Sequence, residues 1–169
     1  MTPPKDKAPL HGKPLSMEEK QARRACNTPE NAIAAVTTGR TSLTRVQAGP
    51  VWTKCAPKGD YEIKGCLLLD GEPVVVLHFS PEDGSLLPKG LHALSAGRPE
   101  VSQLVEKQLS MIVSEVTVLD GAEFREPEFC WMVPVAHKGR IAGHLRVTAD
   151  GTAVIDDKKA KDELGGSLS

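Results

Sequence analysis

Aromatic side chains are scarce, at 4% of 169 residues, so a core has to be assembled mainly from Val, Leu, Ile and Ala. The two Trp, one Tyr and three Phe become landmarks. No apolar run approaches the roughly 20 residues needed to cross a bilayer, and Met1-Thr2-Pro3-Pro4-Lys5 leads into no apolar segment of the secretory type. Together these absences predict a cytoplasmic protein without a membrane span. Four cysteines, Cys26, Cys55, Cys66 and Cys130, are too few and too widely spaced for a disulfide scaffold and form no C-x-x-C pair, so they read as reduced thiols. The chain has no P-loop, no G-x-G-x-x-G, no H-E-x-x-H and no G-x-S-x-G. The sequence therefore singles out no catalytic residue and calls for no cofactor.

What is present is unevenly charged. The formal net charge is −1, yet residues 1–58 hold ten Lys/Arg against four Asp/Glu. The basic positions Lys5, Lys7, Lys13, Lys20, Arg23 and Arg24 offer an electrostatic route to nucleic acid or an acidic partner. The segment lacks the interleaved aromatics that stack bases, so a solvated arm is the expected state and nucleic acid is not the expected ligand. Residues 1–15, with four prolines and three lysines, bury too little to repay ordering and are predicted to be a disordered arm.

The fold class expected is α+β: two similar halves, each a helix packed on an antiparallel β-meander. Ser16-Met17-Glu18-Glu19 is a capping box and opens a short helix over 16–27. Thr28-Pro29-Glu30 starts the first half, 28–90, with an N-cap, a proline at the first helical position and an acid at the positive end of the dipole, and Gly39 is read as the helix end. Strands follow near 43–47, 51–55, 61–69 and 74–79, punctuated by Lys58-Gly59-Asp60, Asp70-Gly71 and Asp83-Gly84. The second half, 98–157, opens at Pro99-Glu100 with a helix whose stripe is Val101, Leu104, Val105, Ile112 and Val116. Strands at 129–135, 141–147 and 153–155 complete it, and 158–169 is read as a flexible tail.

Landmarks recur at nearly one offset: Pro29 and Pro99 by 70 residues, Gly71 and Gly139 by 68, Gly84 and Gly151 by 67. This suggests an internal repeat. The strand phase agrees, with Val75, Leu77 and Phe79 matching Gly143, Leu145 and Val147 as the inward faces.

The first half, from Thr28-Pro29-Glu30-Asn31-Ala32-Ile33 to the closing run Val74-Val75-Val76-Leu77-His78-Phe79-Ser80-Pro81-Glu82-Asp83-Gly84-Ser85-Leu86-Leu87, resembles a PepSY domain. The second half is similar around Gly143-His144-Leu145-Arg146-Val147-Thr148-Ala149-Asp150-Gly151, so the resemblance extends over about 28–157. Ser80 and Thr148 stand where the family has an aspartate. The resemblance implies a noncatalytic module that binds or restrains a partner, and it brings no catalytic residues.

From the residues themselves, the main expectation is a regulatory, inhibitory or accessory module binding a protein partner, with Trp52 and Trp131 as candidate contact residues and an edge strand such as 51–55 or 129–135 as a docking surface. The alternative is a small metal-, cofactor- or thiol-bearing protein using Cys55, Cys66, His78 and His144, provided neighbouring strands place them on one face. Alternation along the strands places His78 and His144 on the more exposed side and keeps Cys66 and Cys130 as core thiols.

Overall fold

The computed structural model describes residues 14–98 and 100–165. Most of the expected arm, with Lys5, Lys7 and Lys13, the Pro99 helix start and residues 166–169 of the tail lie outside the described residues. Helix α1 (Met17–Arg24) begins at the anticipated capping box, in which the Glu19 N–H donates to Ser16 Oγ at 3.0 Å and the Ser16 N–H to Glu19 Oε1 at 2.9 Å. Helix α2 (Pro29–Leu43) starts at Thr28, whose hydroxyl accepts from the Asn31 N–H at 3.2 Å.

Gly39 does not end α2. It is buried in the helix interior, where an added Cβ would lie 3.3 Å from Val133 Cγ1 and 3.4 Å from Leu145 Cδ1. Its lack of a side chain lets the helix approach a sheet closely rather than stop. Since α2 runs to Leu43, the strand expected at 43–47 is absent, and one strand, β1 (Gln47–Cys55), takes its place with a register shift between Ala48 and Val51.

Strands β2 (Tyr61–Leu69) and β3 (Glu72–Phe79) complete an antiparallel sheet in the order β1-β2-β3. Helix α3 (Val101–Ile112) leads into the second sheet, built from β4 (Val116–Val118), β5 (Glu123–Arg125), β6 (Cys130–His137), β7 (Arg140–Thr148) and β8 (Val154–Ile155). Its order is β4-β6-β7-β8, and β5 pairs with the other end of β6. The hairpin turns of the two sheets are alike: Asp70 and Gly71, then Lys138 and Gly139, all have positive φ, as a two-residue turn matched to strand twist requires. Ser80 and Thr148 close the turns after β3 and β7 in similar ways, though the glycine bonds back over four residues in the first and three in the second. Each donates its N–H across the turn at 2.8 Å, to Ser85 O and Ala153 O, and accepts from Gly84 N or Gly151 N at 2.7 Å.

The molecule is thus α+β with two antiparallel sheets, and each sheet carries a helix. The helix is supplied by the opposite half of the chain: α2 lies on β4, β6, β7 and β8, whereas α3 lies on β1 and β2. The halves are joined further where β3 and β7 run side by side. Gly143 permits this approach, since a Cβ there would come within 3.0 Å of Val76 O. One continuous core results, in which Val75, Leu77, Phe79, Leu145 and Val147 are fully buried as the strand phase predicts.

On α3 the buried face is Val101, Val105, Leu109 and Ile112. Leu104 is 44% exposed and Val116 belongs to β4, because the helix stops at Ile112. The tail is also ordered differently from expectation: residues 158–164 form α4 (Lys158–Leu164). Asp157 caps it by accepting from the Ala160 N–H at 2.9 Å, the Asp157 N–H is tied to Pro73 O at 2.7 Å, and Ala160 and Leu164 are buried. Among the described residues no helix is long and apolar enough to cross a membrane.

Candidate functional site

Residues paired laterally in an antiparallel ladder project from the same side of the sheet. Trp52 pairs with Lys64, and Lys64 with His78, so these three form one row across β1-β2-β3, on the face opposite Leu77 and Phe79. Helix α4 covers part of this row. There Lys64 is only 4% exposed, inside a strand otherwise built from Ile63, Gly65, Cys66 and Leu67. A buried ammonium needs partners, and Lys64 Nζ has Glu163 Oε1 at 2.9 Å, Glu163 Oε2 at 3.1 Å and Glu62 Oε1 at 3.5 Å. Glu163 also accepts from Trp52 Nε1 at 3.0 Å and Lys54 Nζ at 3.1 Å. Burial pushes the Glu163 carboxyl up, but the donated hydrogen bonds of Lys64, Trp52 and Lys54 outweigh it and hold the group down at about 2.

Residues 88–97 cross this face as a strap. The Lys89 N–H donates to Ile141 O on β7 at 2.8 Å, and Ser95 pairs with Tyr61 at the start of β2. Between these anchors His92 meets His78 edge-on, ring centroids 4.5 Å apart, and its Nδ1 lies 3.6 Å from Glu62 Oε2. Under the strap the two sheets enclose a groove of about 280 Å³, lined by Trp52, Lys64, His78 and His92 on one side, Lys89, His144 and Arg146 on the other, and Lys159 and Glu163 from α4.

The groove is chemically unfinished. Among the described residues four buried side-chain polar atoms lack a hydrogen-bond partner, and three of them, His78 Nδ1, His144 Nδ1 and Arg146 Nε, belong to groove residues. Of its cations, Lys64 is neutralised, whereas Lys89, Arg146 and Lys159 have no ion-pair partner among the described residues. Both histidines are held neutral. Burial first, then the electrostatic influence of neighbouring His92 and Lys64, lowers His78 to about 4. Burial, then Lys89, Arg146 and Arg125, lowers His144 to about 4. A larger hollow of about 560 Å³, between the end of α2 and β4, is lined mainly by Leu43, Val46, Val113, Val116 and Val118 and carries no comparable chemistry.

The four residues considered as a metal set do not gather. Cys55 pairs with Tyr61, two residues before Ile63, and is therefore on the opposite side of the sheet from His78, exposed to solvent. Cys66 shares the face of Lys64 and His78 but is wholly buried, and desolvation, followed by the charge of Asp157, pushes its thiol up to about 12, where the metal-binding thiolate is not formed. His144 reaches the groove from β7. The group that does gather is Glu62, His78 and His92, whose ligand atoms all lie within 4.8 Å of one another.

The two tryptophans part company. Trp131 is 3% exposed, with its N–H on Ala149 O at 2.8 Å, and is a core residue. Trp52 is half-buried and lines the groove. Two of the α1 cations are engaged within the fold: Arg23 donates to Glu126 O and Pro127 O and stacks on Phe129, and Arg24 pairs with Glu126 at 3.2 Å.

Sequence reasoning missed Lys64, Glu62, Glu163, His92, Lys89 and Arg146. One signal was available, a lysine in the middle of an apolar strand. No family model, no curated protein and no solved structure matches the chain.

Proposed function

We propose that the chain is a noncatalytic regulatory or accessory module of the cytoplasm, a tandem pair of PepSY-like repeats, that binds a protein partner by taking an acidic segment into the groove beneath the 88–97 strap. The observation that carries this reading is the concentration of unmet polar capacity in one place. Lys89, Arg146 and Lys159 have no ion-pair partner among the described residues, and three orphaned buried nitrogens belong to the same lining. Carboxylates of an extended segment would supply the charge and an acceptor for Arg146 Nε, and Trp52 would give that segment an apolar surface to rest on. The neutral histidines add no charge of their own, so recognition falls to the Arg and Lys side chains.

Titration of the protein with a fluorescently labelled oligoglutamate peptide, read by anisotropy, tests the reading. Binding should weaken steeply with added salt and fall by about 10-fold or more in Arg146→Gln and Lys89→Ala. Binding that ignores both substitutions, or no binding at low salt, would reject the groove as the recognition surface.

A further inference from the structure

We propose that Glu62, His78 and His92 form a binding site for one divalent ion of borderline softness, with Zn²⁺ as the reference ion. Two imidazoles and a carboxylate are the donor types such ions take, and three protein donors leave a fourth position for water or for an acidic group of an occupant of the groove. The donors come from three separate places, β2, β3 and the 88–97 strap, and still lie within 4.8 Å of one another. Donors around a tetrahedral Zn²⁺ are about 3.3 Å apart, so a contraction of about 1.5 Å completes the shell. His92 is the member able to move: its side chain is 56% exposed and it lies on the strap, whose anchors at Lys89 and Ser95 keep it over the sheet.

Two further features fit a metal. His78 Nδ1 is buried without a hydrogen-bond partner, and a metal bond is one way to satisfy it. Lys64 holds Glu62 through Oε1 while Oε2 faces His92, and Glu163 offsets the Lys64 charge, which gives the ligating carboxylate the outer support that metal ligands usually have.

The test uses the full chain after chelator treatment, in a Cys26→Ser/Cys55→Ser background that removes the more accessible thiols, titrated with Zn²⁺ by calorimetry and with Co²⁺ by visible absorption. One equivalent should bind, with affinity reduced about 10- to 100-fold in His92→Ala and in Glu62→Gln. Far-UV circular dichroism checks that each variant stays folded, and His92, exposed on the strap, is the substitution least able to disturb the core. The proposal is overturned if the parent binds no Zn²⁺, or if the His92→Ala variant binds it equally well. Because Zn²⁺ alone is the probe, the result stands apart from whether an acidic peptide enters the groove.

Discussion

Two glycines with the same backbone conformation separate two costs that are usually measured together. Gly71 and Gly151 have φ of 84° and 78°. A Cβ on Gly71 would meet nothing within 4 Å, whereas one on Gly151 would lie 2.7 Å from Ala34 Cβ and 2.8 Å from Asn31 O. Gly71→Ala should therefore cost about 1 kcal/mol, the left-handed backbone term alone. Gly151→Ala should cost about 3 kcal/mol or more, because α2 must also be pushed off the second sheet. Urea denaturation of the two variants measures the difference, and equal losses would mean that α2 does not press on this turn. The turns themselves were legible in the sequence, since Asp-Gly states its geometry locally. That one turn abuts a helix from the other half, and the other opens on solvent, was not.

At the level of elements, the exchange of α2 and α3 between the sheets is the main feature that local signals did not convey. Amphipathic periodicity shows which side of a helix seeks a core, and Val101, Val105 and Ile112 were read correctly on that basis. It does not show which sheet supplies the core. A consequence follows for dissection of the chain. Residues 1–98 keep the β1-β2-β3 meander but lose α3, and residues 99–169 keep the second sheet but lose α2. Neither fragment can bury the face its missing helix covers, so each should be largely unstructured alone, and mixing the two should restore secondary structure and dispersed amide resonances. A well-folded isolated half, seen by circular dichroism and proton NMR, would contradict the exchanged packing. Helix α4 makes a similar point on a smaller scale. Its local signals, Asp157 at the N-cap and Gly165 at the C-terminus, cannot hold seven residues alone, and its order rests on Ala160 and Leu164 being buried and on the Asp157 N–H bonding to Pro73 O.

For the whole molecule, the groove between the sheets sets how stability responds to acid. His78 and His144 take up protons in the folded protein only near pH 4, against an ordinary value of 6.5. Between those values the unfolded chain holds more protons than the folded one, so stability is full above about pH 6.5 and declines as pH falls toward 4. Glu163, held at about 2 in the folded state, adds a further loss as pH drops below the ordinary carboxyl value of 4.5. Acid destabilisation should therefore begin well above the carboxylate range, with an uptake approaching roughly two protons on unfolding near pH 5. Thermal melts between pH 4 and 7 measure this, and His144→Gln should flatten the slope by about half in that window. A melting temperature flat from pH 7 to 4.5 would show that the two rings are not buried neutral as described.

By itself the sequence determined the fold class, the N-caps of α1 and α2, the hairpin turns and the inward phase of β3 and β7, because each of these depends on residues a few positions apart. It also marked His78 and His144 as candidates. Tertiary structure alone decided that His78 meets His92 and Glu62 rather than Cys55, that α4 closes over Lys64, and that each helix serves the other half's sheet. Those outcomes depend on strand register, on the face each residue takes and on contacts between residues as far apart as Lys64 and Glu163. Local propensity carries no information about such pairings.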